Sequence, residues 1–143
     1  MDILQNIPKN RLEEIINFAY VYFEIHMEQS DFHEYLKETT NLEKSLMLIN
    51  DENELVGLYL LGDNQIPHND FSEMKGIEGV LLVIDDKYRG MGWGDKLKEY
   101  PKTMGYDYIW GQQLKTLNNL QDWLKRRELI ITTPYVYITA EIY

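Results

Sequence analysis

Cysteine is absent from this chain, which excludes thiol nucleophiles, thiolate-ligated zinc and disulfides, so any catalysis must run on oxygen and nitrogen groups. That absence suits a reducing cytoplasm. Long apolar runs are missing too: nothing approaches the ~18 residues of a membrane span. The start, Met1-Asp2-Ile3-Leu4-Gln5, lacks the basic residues and apolar stretch of a signal peptide. The expectation is a soluble cytoplasmic protein with no membrane partner. Positive charge is scarce, with 14 Lys and Arg against 24 Asp and Glu and a formal net charge of −10. Nucleic acid is therefore an unsuitable partner, because a phosphate backbone rewards clustered cations. His26, His33 and His68 are scattered without ligand spacing, which predicts no metal site.

What is present fits a globular chain. At 143 residues and 44% hydrophobic content, residues 1–143 are expected to form one domain with its own core. The charge is unevenly spread. Residues 1–84 hold 16 acidic and 5 basic side chains, whereas residues 85–143 hold 8 and 9. One reading places a polyanionic cofactor against the C-terminal half and a cationic acceptor against the N-terminal half; the other is plain solubility.

Asn10 and Glu13 read as a capping box ahead of a helix carrying Leu12, Ile15, Ile16, Ala19 and Phe23 toward Met27. Asp31 and Glu34 repeat that pattern before a shorter helix ending near Thr39. Ser45–Ile49 and Leu55–Leu61 flank a polar segment and predict an antiparallel hairpin. Residues 62–75 read as a loop. Gly76–Ile84 is a strand, followed by a glycine-rich turn that opens a helix near Trp93, with Pro101 set to kink or end it. Tyr106–Trp110 is a further strand, Asn118 or Asn119 starts a helix to Arg127, and residues 130–139 close the chain as β structure broken by Pro134. Trp93, Trp110 and Trp123 are expected in the core.

The turn Arg89-Gly90-Met91-Gly92-Trp93-Gly94 lies between strand and helix. Glycines there clear side chains from converging main-chain N–H groups and add the positive end of a helix dipole, a setting that can cradle a pyrophosphate. The spacing is G-x-G-x-G, unlike the dinucleotide fingerprint G-x-G-x-x-G, and no Gly-Lys-Ser/Thr follows. A purely structural glycine turn stays open on the pattern alone.

The string Val83-Ile84-Asp85-Asp86-Lys87-Tyr88-Arg89-Gly90-Met91-Gly92-Trp93-Gly94 resembles motif A of the GNAT acetyltransferase superfamily, R/Q-x-x-G-x-G/A, with Arg89, Gly92 and Gly94 at its defining positions. The order of elements over most of the chain is similar to that family as well. The resemblance implies an α/β (α+β) fold, a mixed central sheet with two splayed strands, here 77–84 and 106–111, flanked by helices. It also implies acetyl-CoA as cofactor, with the pantetheine arm on main-chain groups of Leu82, Val83 and Ile84 and the pyrophosphate on Arg89 to Asp95. The reaction implied is acetyl transfer to a primary amine. A coenzyme-binding module without activity, working through protein–protein contacts, is the alternative. In that family C-terminal β structure often pairs between protomers, so the resemblance admits a homodimer.

An alkyl amine is mostly ammonium at neutral pH, so acetyl transfer calls for a base. Glu78, five residues before Val83, is similar to the glutamate base of the histone acetyltransferase branch; its other reading is a polar residue on the solvent side of a strand. The family's usual acid, a Tyr on the Asn-led helix, is replaced by Leu124, so that the thiolate leaves unaided or through water, or Tyr135 or Tyr137 reaches the sulfur, or activity has been lost. Asn118 matches an Asn near the cofactor arm or acts as a helix cap. Lys125, Arg126 and Arg127 either approach the 3′-phosphate or complement the helix dipole. Glu24 and Glu28 would favour a cationic acceptor such as a polyamine, an aminoglycoside, an amino sugar or a basic protein tail. Gln112, with Gln113 just past the second splayed strand, could meet it.

Overall fold

The computed structural model of the chain describes residues 1–22, 28–66, 69–114, 128–132 and 136–143. Its strands are β1 (Asp2–Gln5), β2 (Leu46–Ile49), β3 (Leu55–Gly62), β4 (Gly76–Ile84), β5 (Tyr108–Leu114), β6 (Glu128–Thr132) and β7 (Val136–Ile142). Its α-helices are α1 (Leu12–Tyr22), α2 (Gln29–Thr39) and α3 (Trp93–Thr103). The strands form one seven-stranded sheet in the order β1-β2-β3-β4-β5-β7-β6. The β4–β5 pair is parallel and the other five pairings are antiparallel. A mixed α/β sheet flanked by helices is thus what the chain builds.

Alternation of side chains sorts the core into layers. Met47, Ile49, Leu58 and Leu60 point to the face covered by Ile15, Ile16 and Ala19 of α1 and by Phe32 and Leu36 of α2. Leu46, Tyr59, Leu61, Ile77 and Ile109 point to the other face, where Leu97 of α3 packs. A third cluster joins Tyr108, Trp110, Ile138 and Ala140 to Ile66 and Phe71 of the β3–β4 connection. The expected hairpin is present: Asn50 accepts from the amides of Glu52 and Glu54 at 3.1 and 2.8 Å, which satisfies the turn between β2 and β3.

Several local expectations need correction. Asn10 does not cap α1, because it lies inside a 3-10 turn, Lys9–Arg11, that leads into the helix. Asp31 does not cap α2 either. That helix begins two residues earlier at Gln29, with Glu28 at the N-cap position, and Asp31 sits in its first turn. There a carboxylate still meets the favourable end of the dipole. Strand β1, absent from the sequence reading, owes its existence to pairing with β2 rather than to its own short pattern. Pro101 is buried inside α3, which continues two residues beyond it to Thr103. One donor lost near a helix end is tolerated where the ring packs into the core. The helix expected from Asn118 or Asn119, and the break at Pro134, lie outside the described residues.

A bulge in β4 shapes everything that follows. Leu60 pairs with Leu81 and Leu61 with Gly79, so Val80 is an extra residue on β4. In a regular strand Ile77 and Val83 would share a face. The inserted residue places Ile77 in the α3 layer and Val83 in the α1–α2 layer.

Candidate active site

Beyond this bulge the two parallel strands part. The β4–β5 register runs Gly76 to Tyr108, Ile77 to Ile109 and Glu78 to Trp110 and goes no further, although β4 extends to Ile84 and β5 to Leu114. Gly79 and Gly111 still lie close, since a Cβ on Gly111 would come within 3.2 Å of the Gly79 carbonyl oxygen. Past them lies a wedge. Residues 79–82, on the middle strand of the sheet, are only half-buried, which is unusual for a central strand and leaves main-chain groups on its β5 side without a ladder partner. The splayed pair expected at 77–84 and 106–111 is therefore present, with its second member extending over Tyr108–Leu114.

At the far end of β4 the chain enters the glycine turn. Asp85 accepts from the Lys87 amide at 3.0 Å and starts a short 3-10 turn, Asp86–Tyr88. Arg89 then folds back: its Nε donates to the Ile84 carbonyl at 3.0 Å, while its guanidinium meets Asp86 at 3.1 Å and lies over the Tyr22 ring at 5.5 Å. Gly90 and Gly92 have φ of 76° and 84°, the left-handed region that disfavours a side chain, and open space surrounds both. Gly92 is the N-cap of α3, so the amides of Trp93, Gly94 and Asp95 belong to the first turn, where helix geometry supplies no acceptor. Gly94 seats that turn on Leu82 and Ile84: an added Cβ would lie 3.9 Å from one and 3.6 Å from the other. Met91 is exposed, and Trp93 is half-buried with Lys96 Nζ 4.2 Å from its ring centre rather than lost in the core as expected. Trp110 is buried as expected; Trp123 lies outside the described residues.

This arrangement fits an anionic ligand with a long arm. Main-chain amides of the first helical turn lie beside an exposed guanidinium, among the described residues nothing comes within 4 Å of a Cβ added at Gly90 or Gly92, and an unpaired strand edge continues from the same point.

Glu78 stands where the wedge opens. It is 7% exposed, on the face that also carries Leu81 and Trp110, which excludes the solvent-side alternative. Asn64 Nδ2 donates to its Oε2 at 3.2 Å, and the Gln112 side chain also hydrogen-bonds to it. Burial pushes the Glu78 carboxyl above the ordinary carboxylate range, and the two amide donors act against that shift. Tyr35 of α2 faces the same carboxylate, and burial together with that charge raises its hydroxyl. Gln112 lies within β5 and not beyond its end. Asn64 and Tyr35 escaped the sequence reading; nothing in the aperiodic loop or in the α2 pattern singled them out.

The remaining expected residues are spread out. Glu28 is exposed at the start of α2. Glu24, Asn118, Leu124, Tyr135 and the basic run Lys125 to Arg127 lie outside the described residues, as does the side chain of Tyr137. Among the described residues no group of His, Asp or Glu is placed to hold a metal ion, and no helix is long and apolar enough to cross a membrane.

A mixed sheet with one splayed parallel pair, a bulged middle strand and a glycine turn into a helix is the fold of the GNAT acetyltransferases, and the chain has that fold. Solved structures of the class superpose over nearly its whole length. Ard1 from Thermoplasma volcanium is similar with a TM-score of 0.70 and 12% identity, covering 99% of this chain and 96% of that one. Naa50 of Arabidopsis thaliana, in complex with the bisubstrate analogue CoA-Ac-MVNAL, is similar with a TM-score of 0.71 and 12% identity over 99% and 98% of the two chains. The PaiA N-acetyltransferase from Thermoplasma acidophilum, in complex with coenzyme A, has a TM-score of 0.63 and 16% identity, with both chains covered completely at 100%. No family model and no curated protein matches the sequence. At these identities the likeness is one of fold.

Proposed function

We propose that the chain is a single-domain N-acetyltransferase that moves an acetyl group from acetyl-CoA to a primary amine of a cationic acceptor. The observation that carries this reading is the end of β4–β5 pairing at Glu78 and Trp110. It puts an unpaired strand edge, an anion-receptive turn and a buried carboxylate along one line of chain. Naa50 and PaiA, which share the fold, were solved with a coenzyme A analogue and with coenzyme A.

Acetyl-CoA supplies the activated acyl group; the chain binds, orients and moves a proton. Amides of residues 90–95 with Arg89 take the pyrophosphate, and the free edge of Leu82 to Ile84 takes the pantetheine arm as an added strand. Glu78 accepts a proton from the acceptor ammonium. A carboxyl whose pKa is raised by burial is a better match to that task than an exposed one, because basicity near the working pH maximises transfer. Gln112 and Tyr35 border the same place and would meet the acceptor. The excess of acid in residues 1–84 favours a cationic one, including through Glu28 at the start of α2.

The test is release of free thiol from acetyl-CoA in the presence of a panel comprising a polyamine, an amino sugar and a basic peptide. Release with one of them supports the enzyme reading. Coenzyme binding with no release from any amine would instead mark a binding module. For a cationic acceptor, its apparent KM should rise with added salt.

A further inference from the structure

We propose that Asn64 is a positioning residue for Glu78: pinned to the sheet through Trp110, its side-chain amide orients the carboxylate and holds it in the ionised form. The inference rests on the reading of Glu78 as the base.

An ionised carboxylate only accepts hydrogen bonds, so the atom of Asn64 facing it must be the Nδ2 donor, at 3.2 Å. What distinguishes Asn64 from a chance neighbour is the way its loop is held. The Asn64 carbonyl accepts from the Trp110 indole at 2.8 Å. Gln65 pairs with Gly76 like a neighbouring strand, donating from Nε2 to the carbonyl at 2.8 Å and accepting from the amide at 3.1 Å. The Tyr108 hydroxyl donates to Gln65 at 3.3 Å and accepts from the Ile66 amide at 3.4 Å. Three consecutive residues of an irregular connection are thereby fixed to β4 and β5, and Tyr108 is fully buried beneath them. Trp110 is also the residue paired with Glu78 across the parallel ladder. One buried indole therefore sets both the strand that carries the carboxylate and the loop that carries its donor.

The charge around Glu78 leaves this donor a clear task. Among the described residues, Tyr35 from α2 is the titratable group facing it, Gln112 from β5 adds a second amide, and Gly62 stands opposite on β3. Asp63, the nearest acid along the loop, is committed to Lys44 and to Asn41. Burial favours the neutral acid, and among the described residues the amide donors Asn64 and Gln112 are what oppose neutralisation.

The experiment is a pH titration of the full chain carrying 13C-labelled glutamate, with the Glu78 carboxyl signal identified by its loss in Glu78→Gln. In Asn64→Leu and Asn64→Ala the Glu78 midpoint should move upward by about one pH unit, since a donor to the charged form has been withdrawn. Trp110→Phe, which keeps a ring but frees the Asn64 carbonyl, should move it the same way by less. An unchanged midpoint in a folded Asn64 variant overturns the proposal. This titration needs neither coenzyme nor acceptor, so its failure is separate from that of Glu78 as base, which would show as undiminished thiol release in Glu78→Gln.

Discussion

Glu78 and Trp110 form the last parallel pair between β4 and β5. On one side of them the sheet is continuous; on the other the strands separate into a wedge. The bulge at Val80 begins two residues after Glu78, so the carboxylate sits at the point where sheet becomes cleft. That placement explains how a residue in the middle of a sheet can be buried yet lie at the point where two central strands cease to pair.

Glu78→Gln should lower thiol release by about 10²-fold or more at neutral pH, the usual contribution of a general base. The KM for acetyl-CoA should change little, because the glycine turn proposed to hold the coenzyme is at the other end of β4. Steady-state thiol release across pH checks this, and undiminished turnover would remove Glu78 from the mechanism.

The same substitution carries a stability signature. Because burial raises the Glu78 carboxyl in the folded chain, folding favours its neutral form. That contribution is complete below about pH 4, where the unfolded carboxyl is also protonated, and is lost as pH rises through the folded value. Glu78→Gln has no such titration. Its melting temperature relative to wild type should therefore be least favourable in acid and should gain steadily toward neutral pH; a difference that is flat with pH contradicts the assignment.

Gly92→Ala isolates the backbone of the turn. No atom lies within 4 Å of the added Cβ, but φ is +84°, so the cost is conformational and amounts to about 1–2 kcal/mol. Stability should fall by that amount in denaturant melts. Coenzyme A should also bind more weakly by calorimetry, as the strained turn relaxes and the amides lose their alignment.

Arg89→Ala should separate charge from fold. The Arg89–Asp86 pair is exposed and such pairs contribute about 0–1 kcal/mol, and the exposed bond to the Ile84 carbonyl and the contact with the Tyr22 ring each add about 1 kcal/mol at most, so the melting temperature should fall only modestly. Coenzyme A affinity should drop and become less sensitive to salt than in wild type. Calorimetry at two ionic strengths reads both.

Gly76→Ala should destabilise through packing alone. An added Cβ would come within 2.0 Å of the Tyr108 ring, which is fully buried and cannot swing away. A loss of about 1–3 kcal/mol is expected from such overpacking. The denaturation midpoint measures it, and an unchanged midpoint would mean that the Tyr108 ring does not pack against Gly76.

Residues alone carried a good deal of this. The boundaries of β4 and the start of α3 follow from an apolar run ending in Asp85 and from glycines at 90, 92 and 94, because strand period and positive φ are local properties. The turn was legible for the same reason. Glu78 could be picked out only through the family resemblance, by its place five residues before Val83, and its burial could not be read from the sequence. That burial arises from the bulge at Val80 and from the connection laid across β5, neither of which leaves a local pattern. Asn64 lies in a stretch with no periodicity, and β1 is too short to announce itself. Sequence determined the longer elements and the glycine turn, since each depends on backbone preferences within a few residues. Tertiary structure decided where pairing stops and which donors reach the carboxylate, since those depend on contacts between segments far apart in the chain.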